Sequence, residues 1–167
     1  MSQTSLKRVI ANLVVAEDGS TTSGGSSIGL TTQRDRQRFH ALRSSADLII
    51  VGGSTARREP YEKTPVTLLV VTRGELDGRA KGNPLARAFQ GGIVEAIQNS
   101  SGRILLECGR TLLAEAVDSG LVDELHFTYV TGKPDENKID LARLLINFEE
   151  KSREEFSQET FVQYLKK

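Results

Sequence analysis

The stretch ADLIIVGGSTARREP, residues 46–60, decides how the rest of the chain is read. It opens with a short unbroken apolar run, which predicts a strand covered on both faces, as in a parallel sheet, rather than a strand with one wet face. The run stops at Gly52 and Gly53, and Ser54, Thr55, Arg57 and Arg58 follow. Glycine allows close backbone approach, the hydroxyls donate hydrogen bonds, and a helical turn starting here would offer free N–H groups to a phosphate. The same residues suit an ordinary turn, so the stretch alone leaves both readings open.

Working outward, the strand signal recurs. RVIANLVV at 8–15 reads as a buried strand, VTLLVVT at 66–72 as a second central parallel strand, and residues 103–107 as another. Between them, Thr32 caps a helix over TQRDRQRFHALRSS, with Asp35 three residues on as in a capping box and Phe39 and Leu42 on one face. GGIVEAIQNSSG suggests a short helix, and GRTLLAEAVDSG a longer one ended by Gly120. DELHFTYV at 123–130 follows as a strand, while residues 73–84 form a polar linker. The tail departs from the alternation: after IDLARLLINF, EEKSREEF and ETFVQYLKK read as an antiparallel pair at the sheet edge. This order predicts an α/β protein, one domain over residues 1–167, with helices on the faces of a mostly parallel sheet.

Bulk composition narrows the function classes. The 22 Lys and Arg balance the 22 Asp and Glu, so no net field draws the chain to nucleic acid or an anionic membrane, and any basic site is local. Cys108 is the single cysteine, which excludes an internal disulfide framework and a multi-cysteine zinc site and fits a reducing cytoplasm. The N-terminal MSQTSLKRVIANLVV is too short and interrupted in its apolar part for an export signal, and no run of apolar residues is long enough to span a bilayer.

Three segments place glycine or hydroxyl residues just after a predicted strand, where α/β proteins bind ligands: Gly52–Thr55, Thr72 with Arg73, and Gly109–Thr111. None completes a known signature: the chain lacks GxGxxG and GxxxxGK[ST] for nucleotides, HxxxH and CxxC for metals, and GxSxG for a serine nucleophile. No metal site is expected, and His40 and His126 read as structural. Glu107, at the end of an apolar strand, must meet a donor or act on a substrate, because an unpaired buried carboxylate is costly. Arg43 suits the last turn of its helix by complementing the dipole. Arg57 and Arg58 are either a solvated pair or a grip on the 2′-phosphate of a cofactor.

Taken in order, these segments resemble the reductase of riboflavin biosynthesis, the C-terminal domain of the bacterial bifunctional deaminase/reductase, which has the dihydrofolate reductase-like fold. The resemblance is carried by AEDG at 16–19, SGGSSIGLTT at 23–32, ALRSSAD at 41–47, VGGST at 51–55, REP at 58–60, LECG at 106–109 and GLVDEL at 120–125. It covers about residues 8–130. It implies a three-layer α/β sandwich, mostly parallel with antiparallel C-terminal strands, and an NADPH-dependent reduction that opens a ribosylamino group to a ribitylamino chain. It also implies a small-molecule substrate, a phosphorylated ribosylaminopyrimidine or similar heterocycle, and a homodimer, with no nucleic-acid or membrane partner.

Carried over by position, the expected cofactor site comprises Gly29, Gly53, Thr55, Arg58, Glu59, Thr72, Gly109, Arg110, Thr111, Leu112 and Leu113. Ser27, Arg43 and Glu107 would face the substrate. The chain departs from the family pattern where PYEKTP leads straight into a strand, where Cys108 stands for a glycine, and where YVTGKPDENK replaces the usual segment after LVDEL. No HxE or PCxxC deaminase signature occurs. These departures fall mainly on the substrate side and leave open a pterin or other small heterocycle as substrate, or a non-catalytic nucleotide-binding relative.

Overall fold

A computed structural model describes residues 6–167; residues 1–5, the start of the stretch read above for an export signal, lie outside the described residues. Eight strands form one sheet in the order β4-β3-β2-β5-β1-β6-β8-β7. They are β1 (Arg8–Ala16), β2 (Leu48–Gly52), β3 (Thr67–Val71), β4 (Ala86–Phe89), β5 (Arg103–Leu106), β6 (Glu124–Val130), β7 (Phe148–Glu155) and β8 (Glu159–Lys166). The pairings among β1 to β6 are parallel, whereas β8 runs antiparallel to both β6 and β7. Among the described residues the five α-helices are α1 (Gln33–Ser44), α2 (Gly53–Arg58), α3 (Ile93–Gln98), α4 (Arg110–Asp118) and α5 (Leu141–Leu144).

The unbroken apolar runs are explained by two cores. On β2, Ile50 points to one face and Ile49 and Val51 to the other; on β5, Ile104 and Leu106 oppose Leu105. One core gathers under α3, α4 and α5 with Ile93, Ile97, Leu113, Ala116 and Leu144, and the other gathers Ala56 of α2 with Tyr61 and Ala80. Burying each of these aliphatic side chains contributes about 1.5–3 kcal/mol, so both faces must stay covered.

Two elements differ from expectation. Strand β4 has no counterpart in the sequence reading, because it is four residues long, lies at the sheet edge and has Arg87 and Ala88 exposed. The polar linker holds a 3-10 turn at Gly78–Gly82, fixed by buried Asn83, whose side-chain amide donates to the Tyr61 carbonyl and Thr64 Oγ1. Thr32 caps α1 as expected, accepting from the Asp35 N–H, but the Asp35 side chain does not return to Thr32. It turns inward instead, as described below. Among the described residues no helix is long and apolar enough to cross a membrane.

Candidate functional site

A cavity of about 680 Å³ opens where β2 and β5 end, beside Asn12, Leu13 and Val14 in the middle of β1. One wall is built by the segments that follow β2 and β5, Gly52–Thr55 and Glu107–Leu112. Opposite stand Asp35, Arg36, Phe39, His40 and Arg43 of α1, and the rim includes Thr21, Thr22, Gly25, Ser27 and Ile28. Parallel strands put all their carboxyl ends on one side, and for that reason segments more than 50 residues apart in sequence share this wall.

On the β2/β5 side, two helices start at the cavity. α2 has Gly52 and α4 has Gly109 at the N-cap, and neither cap position supplies a side-chain hydrogen bond to the helix. The first amides of α4 therefore keep donor capacity for an anion, reinforced by the helix dipole. Close approach matters here: a Cβ on Gly52 would lie 2.6 Å from Leu112 Cδ1, and one on Gly109 would lie 3.5 Å from Thr55 Oγ1. Gly53, Thr55, Arg58, Gly109, Arg110, Thr111 and Leu112 all line the cavity, and Arg58 is exposed there.

Other expected cofactor residues sit elsewhere. Gly29 lies in a 3-10 turn at Ser27–Gly29, off the cavity wall, and packs so tightly on Ser23 that a side chain would collide with its carbonyl. Thr72, after β3, lies beside Gly53 but outside the lining; its Oγ1 accepts from the Gly74 N–H at 3.4 Å. Leu113 directly follows Leu112 but lies on a different side of α4 and faces the core, 1% exposed. Glu59 reaches the wall, but its Oε1 accepts from Ser26 Oγ, the Ser27 N–H and Ser27 Oγ at 2.8–3.1 Å. It fastens the rim loop to the end of α2, and Ser27 is engaged in the same contact.

Arg43 and Glu107 form a buried bidentate pair. Arg43 Nε donates to Glu107 Oε1 at 2.8 Å and Nη2 to Oε2 at 2.7 Å, and the Tyr61 hydroxyl adds a donor to Oε2 at 2.6 Å. The guanidinium lies over the Phe39 and Tyr61 rings, 4.2 and 5.1 Å from their centroids. Burial, together with the Glu107 carboxylate, pushes the Tyr61 phenol well above its ordinary range, so it stays protonated and donates. Both residues line the cavity, and each engages two of the other's hydrogen-bonding positions. This arrangement meets the demand that a carboxylate at the end of an apolar strand be paired.

Two features escaped the sequence reading. Asp35 is 7% exposed and lines the cavity, accepting from Thr31 Oγ1 on Oδ2 and from Thr128 Oγ1 on Oδ1, both at 2.5 Å. Only its place in a capping-box pattern was visible, and that suggested a different role. Second, Glu136 receives Thr22 Oγ1 and the N–H groups of Gly24 and Gly25, each at 3.0 Å, and so clamps the rim loop to the segment after β6. These contacts hold the Glu136 carboxyl below its usual range, Gly25 contributing most. Among the described residues no group of three or more His, Cys, Asp or Glu side chains is placed to hold a metal ion.

No protein-family model matches the chain, and no curated protein matches it in sequence. Solved structures do. A diaminohydroxyphosphoribosylaminopyrimidine deaminase/5-amino-6-(5-phosphoribosylamino)uracil reductase from Thermotoga maritima superposes with a TM-score of 0.73 at 15% identity, covering 97% of this chain and 57% of that one. The chain thus spans little more than half the length of that protein. A pyrimidine reductase-like protein from Corynebacterium diphtheriae gives 0.68 at 16% identity over 96% and 92% of the two chains. A dihydrofolate reductase from Enterococcus faecalis, solved with NADP(H), gives 0.69 at 13% identity over 95% and 96%. With the strand order, the antiparallel C-terminal strands and the flanking helices, these likenesses establish that the chain has the dihydrofolate reductase-like fold.

Proposed function

We propose that the protein is an NADPH-dependent reductase, resembling the 5-amino-6-(5-phosphoribosylamino)uracil reductase of riboflavin biosynthesis. The observation that carries the reading is the cavity wall: two helix starts with glycine caps, Gly52 and Gly109, meet at the ends of β2 and β5 with Thr55 and Thr111 beside them. That donor set fits the phosphates of a dinucleotide. Bound there, NADPH would supply the hydride. The chain's own residues hold and orient it: α4 amides and Thr111 at phosphate oxygens, Thr55 beside them, and exposed Arg58 at the 2′-phosphate. Phe39 and Leu112 offer apolar surface that keeps water from an acceptor ring.

A second reading keeps the cofactor and changes the substrate. Arg43 and Glu107, expected to recognise a ribosylaminopyrimidine, are hydrogen-bonded to each other, and Asp35 lines the same cavity. Each Asp35 oxygen accepts one hydroxyl and has capacity for a second donor, which suits a planar heterocycle presenting an amidine edge, N–H beside NH₂. This favours a pterin or diaminopyrimidine-like ring.

Titrating NADPH and NADH while following nicotinamide fluorescence tests the reductase. Sub-millimolar NADPH binding, weakened more than NADH binding by Arg58→Ala, is the expected result. Absence of binding by both dinucleotides would overturn the reading, and equal losses on Arg58→Ala would remove Arg58 from the 2′-phosphate.

A further inference from the structure

α1 is docked on the sheet by polar groups. Its two buried residues are both charged, Asp35 and Arg43. Beneath it, β6 turns Glu124, His126 and Thr128 to one side, while Leu125 and Phe127 pack in the core on the other. Arg38 of α1 lies over this polar strip. Its Nη1 donates to the Phe127 carbonyl at 3.1 Å and Thr128 Oγ1 at 3.4 Å, Nη2 lies 3.5 Å from His126 Nδ1, and the guanidinium stacks 4.5 Å from the Phe161 centroid.

Guanidinium can only donate, and this forces the other assignments. Thr128 Oγ1 must accept from Arg38, so its single proton goes to Asp35 Oδ1. His126 Nδ1 must likewise accept, so the ring proton sits on Nε2 and is donated to Glu124 Oε2 at 2.8 Å. Glu124 is anchored in turn by Arg8 and by Gln163 Nε2. A donor line thus joins Glu124 to the cavity carboxylate, with donation running outward from Arg38 in both directions, through His126 to Glu124 and through Thr128 to Asp35.

We infer that Arg38 and His126 are positioning residues for Asp35, orienting its carboxylate through the Thr128 hydroxyl, and that protonation of His126 releases this hold. The inference rests on the reading of Asp35 as a heterocycle-binding carboxylate. A second ring proton would have to enter at Nδ1, replacing the acceptor that faces Arg38 with a cation. The charged groups around the ring are Glu124 on its own strand, Arg38 on α1, Arg8 on β1 behind Glu124, and Arg103 on β5; Arg38 in turn feels Asp35 and Glu154. Gln163 of β8 is uncharged and lies opposite in register. Burial, reinforced by Arg38 and Arg103, pushes the imidazole below its ordinary value against the pull of Glu124. The hold is therefore closed at neutral pH and opens in acid.

Two measurements test this. Ring nitrogen NMR at neutral pH should show the His126 proton on Nε2, and Arg38→Met should raise the His126 titration midpoint; a proton on Nδ1, or an unmoved midpoint, overturns the proposal. With 2,4-diaminopyrimidine as the probe, acidification through the His126 titration should weaken binding roughly tenfold more in the wild type than in His126→Asn, which keeps an acceptor for Arg38 but cannot become a cation. Protonation of the probe is common to both proteins and cancels. Identical pH dependence overturns the proposal. Failure of the probe to bind the wild type at any pH defeats the heterocycle reading of Asp35, and the NMR result, which needs no ligand, then decides whether the donor line exists. Should Arg38→Met fail to fold, the tautomer and the His126→Asn comparison suffice.

Discussion

Arg43 and Glu107, 64 residues apart in sequence, meet through two parallel hydrogen bonds of 2.8 and 2.7 Å at the floor of the cavity. Their side chains are 10% and 4% exposed, so the pair is shielded from water and salt. Removing one partner leaves a buried charge uncompensated. Glu107→Ala should cost roughly 3–5 kcal/mol in urea unfolding, and Arg43→Met with Glu107→Leu together far less. A cost for Glu107→Ala within about 0.5 kcal/mol, the range of ordinary surface substitutions, would show that the pair is not structural.

Gly109 separates folding from cofactor binding. Its backbone, φ −66° and ψ 171°, is one any residue adopts, and an added Cβ would make ordinary contact with Thr55 Oγ1. Gly109→Ala should therefore leave stability within about 0.5 kcal/mol of the wild type. The same methyl stands at the start of α4, where a phosphate would approach. NADPH affinity should fall about tenfold, measured by nicotinamide fluorescence; undiminished affinity would move the phosphate elsewhere.

The Glu136 clamp makes the rim loop sensitive to acid. Because hydrogen bonds to Gly25, Thr22 and Gly24 lower its carboxyl pKa in the folded state, its contribution is fully present above the unfolded value, about 4.3. The contribution is lost as pH falls through the folded value. Glu136→Gln should speed amide hydrogen exchange at Gly24 and Gly25 at neutral pH without changing exchange in β1. Unchanged exchange at the two glycines would show that the loop holds without the clamp.

Cys108 should be inert in the native protein. Burial first, and the adjacent Glu107 carboxylate second, push its thiol from 9.0 up to about 12. At mildly alkaline pH iodoacetamide should label it only after denaturation, since the thiolate is the nucleophile. The raised value also contributes stability that is fully present below the ordinary value of 9.0 and is lost as pH rises from there towards about 12. Rapid native labelling at pH about 8 would mean that the strand end opens readily.

How much of this was legible in the chain follows from the range over which each force acts. The unbroken runs LIIV and RILL announced strands covered on both faces, because burial shows as local periodicity within a few residues. Thr32, Gly52 and Gly109 marked helix starts for the same local reason. The order of elements carried a mostly parallel α/β sheet and the side on which a ligand site would lie, and the family-like segments carried the dihydrofolate reductase-like fold. The edge strand β4 was silent because four residues, two of them exposed side by side, leave no pattern.

Partner choice was decided by tertiary structure. Glu107 needed a donor, but only the crossing of α1 over the end of β5 made that donor Arg43 and Tyr61, and so joined two of the three expected substrate residues to each other. Asp35 read as a capping residue until Thr128, 93 residues away, turned it into a cavity carboxylate. Local sequence determines which segments become strands and helices, since backbone propensity and burial pattern act over short range. Which charged side chains meet across them depends on how those segments are stacked, and that is a property of the folded chain alone.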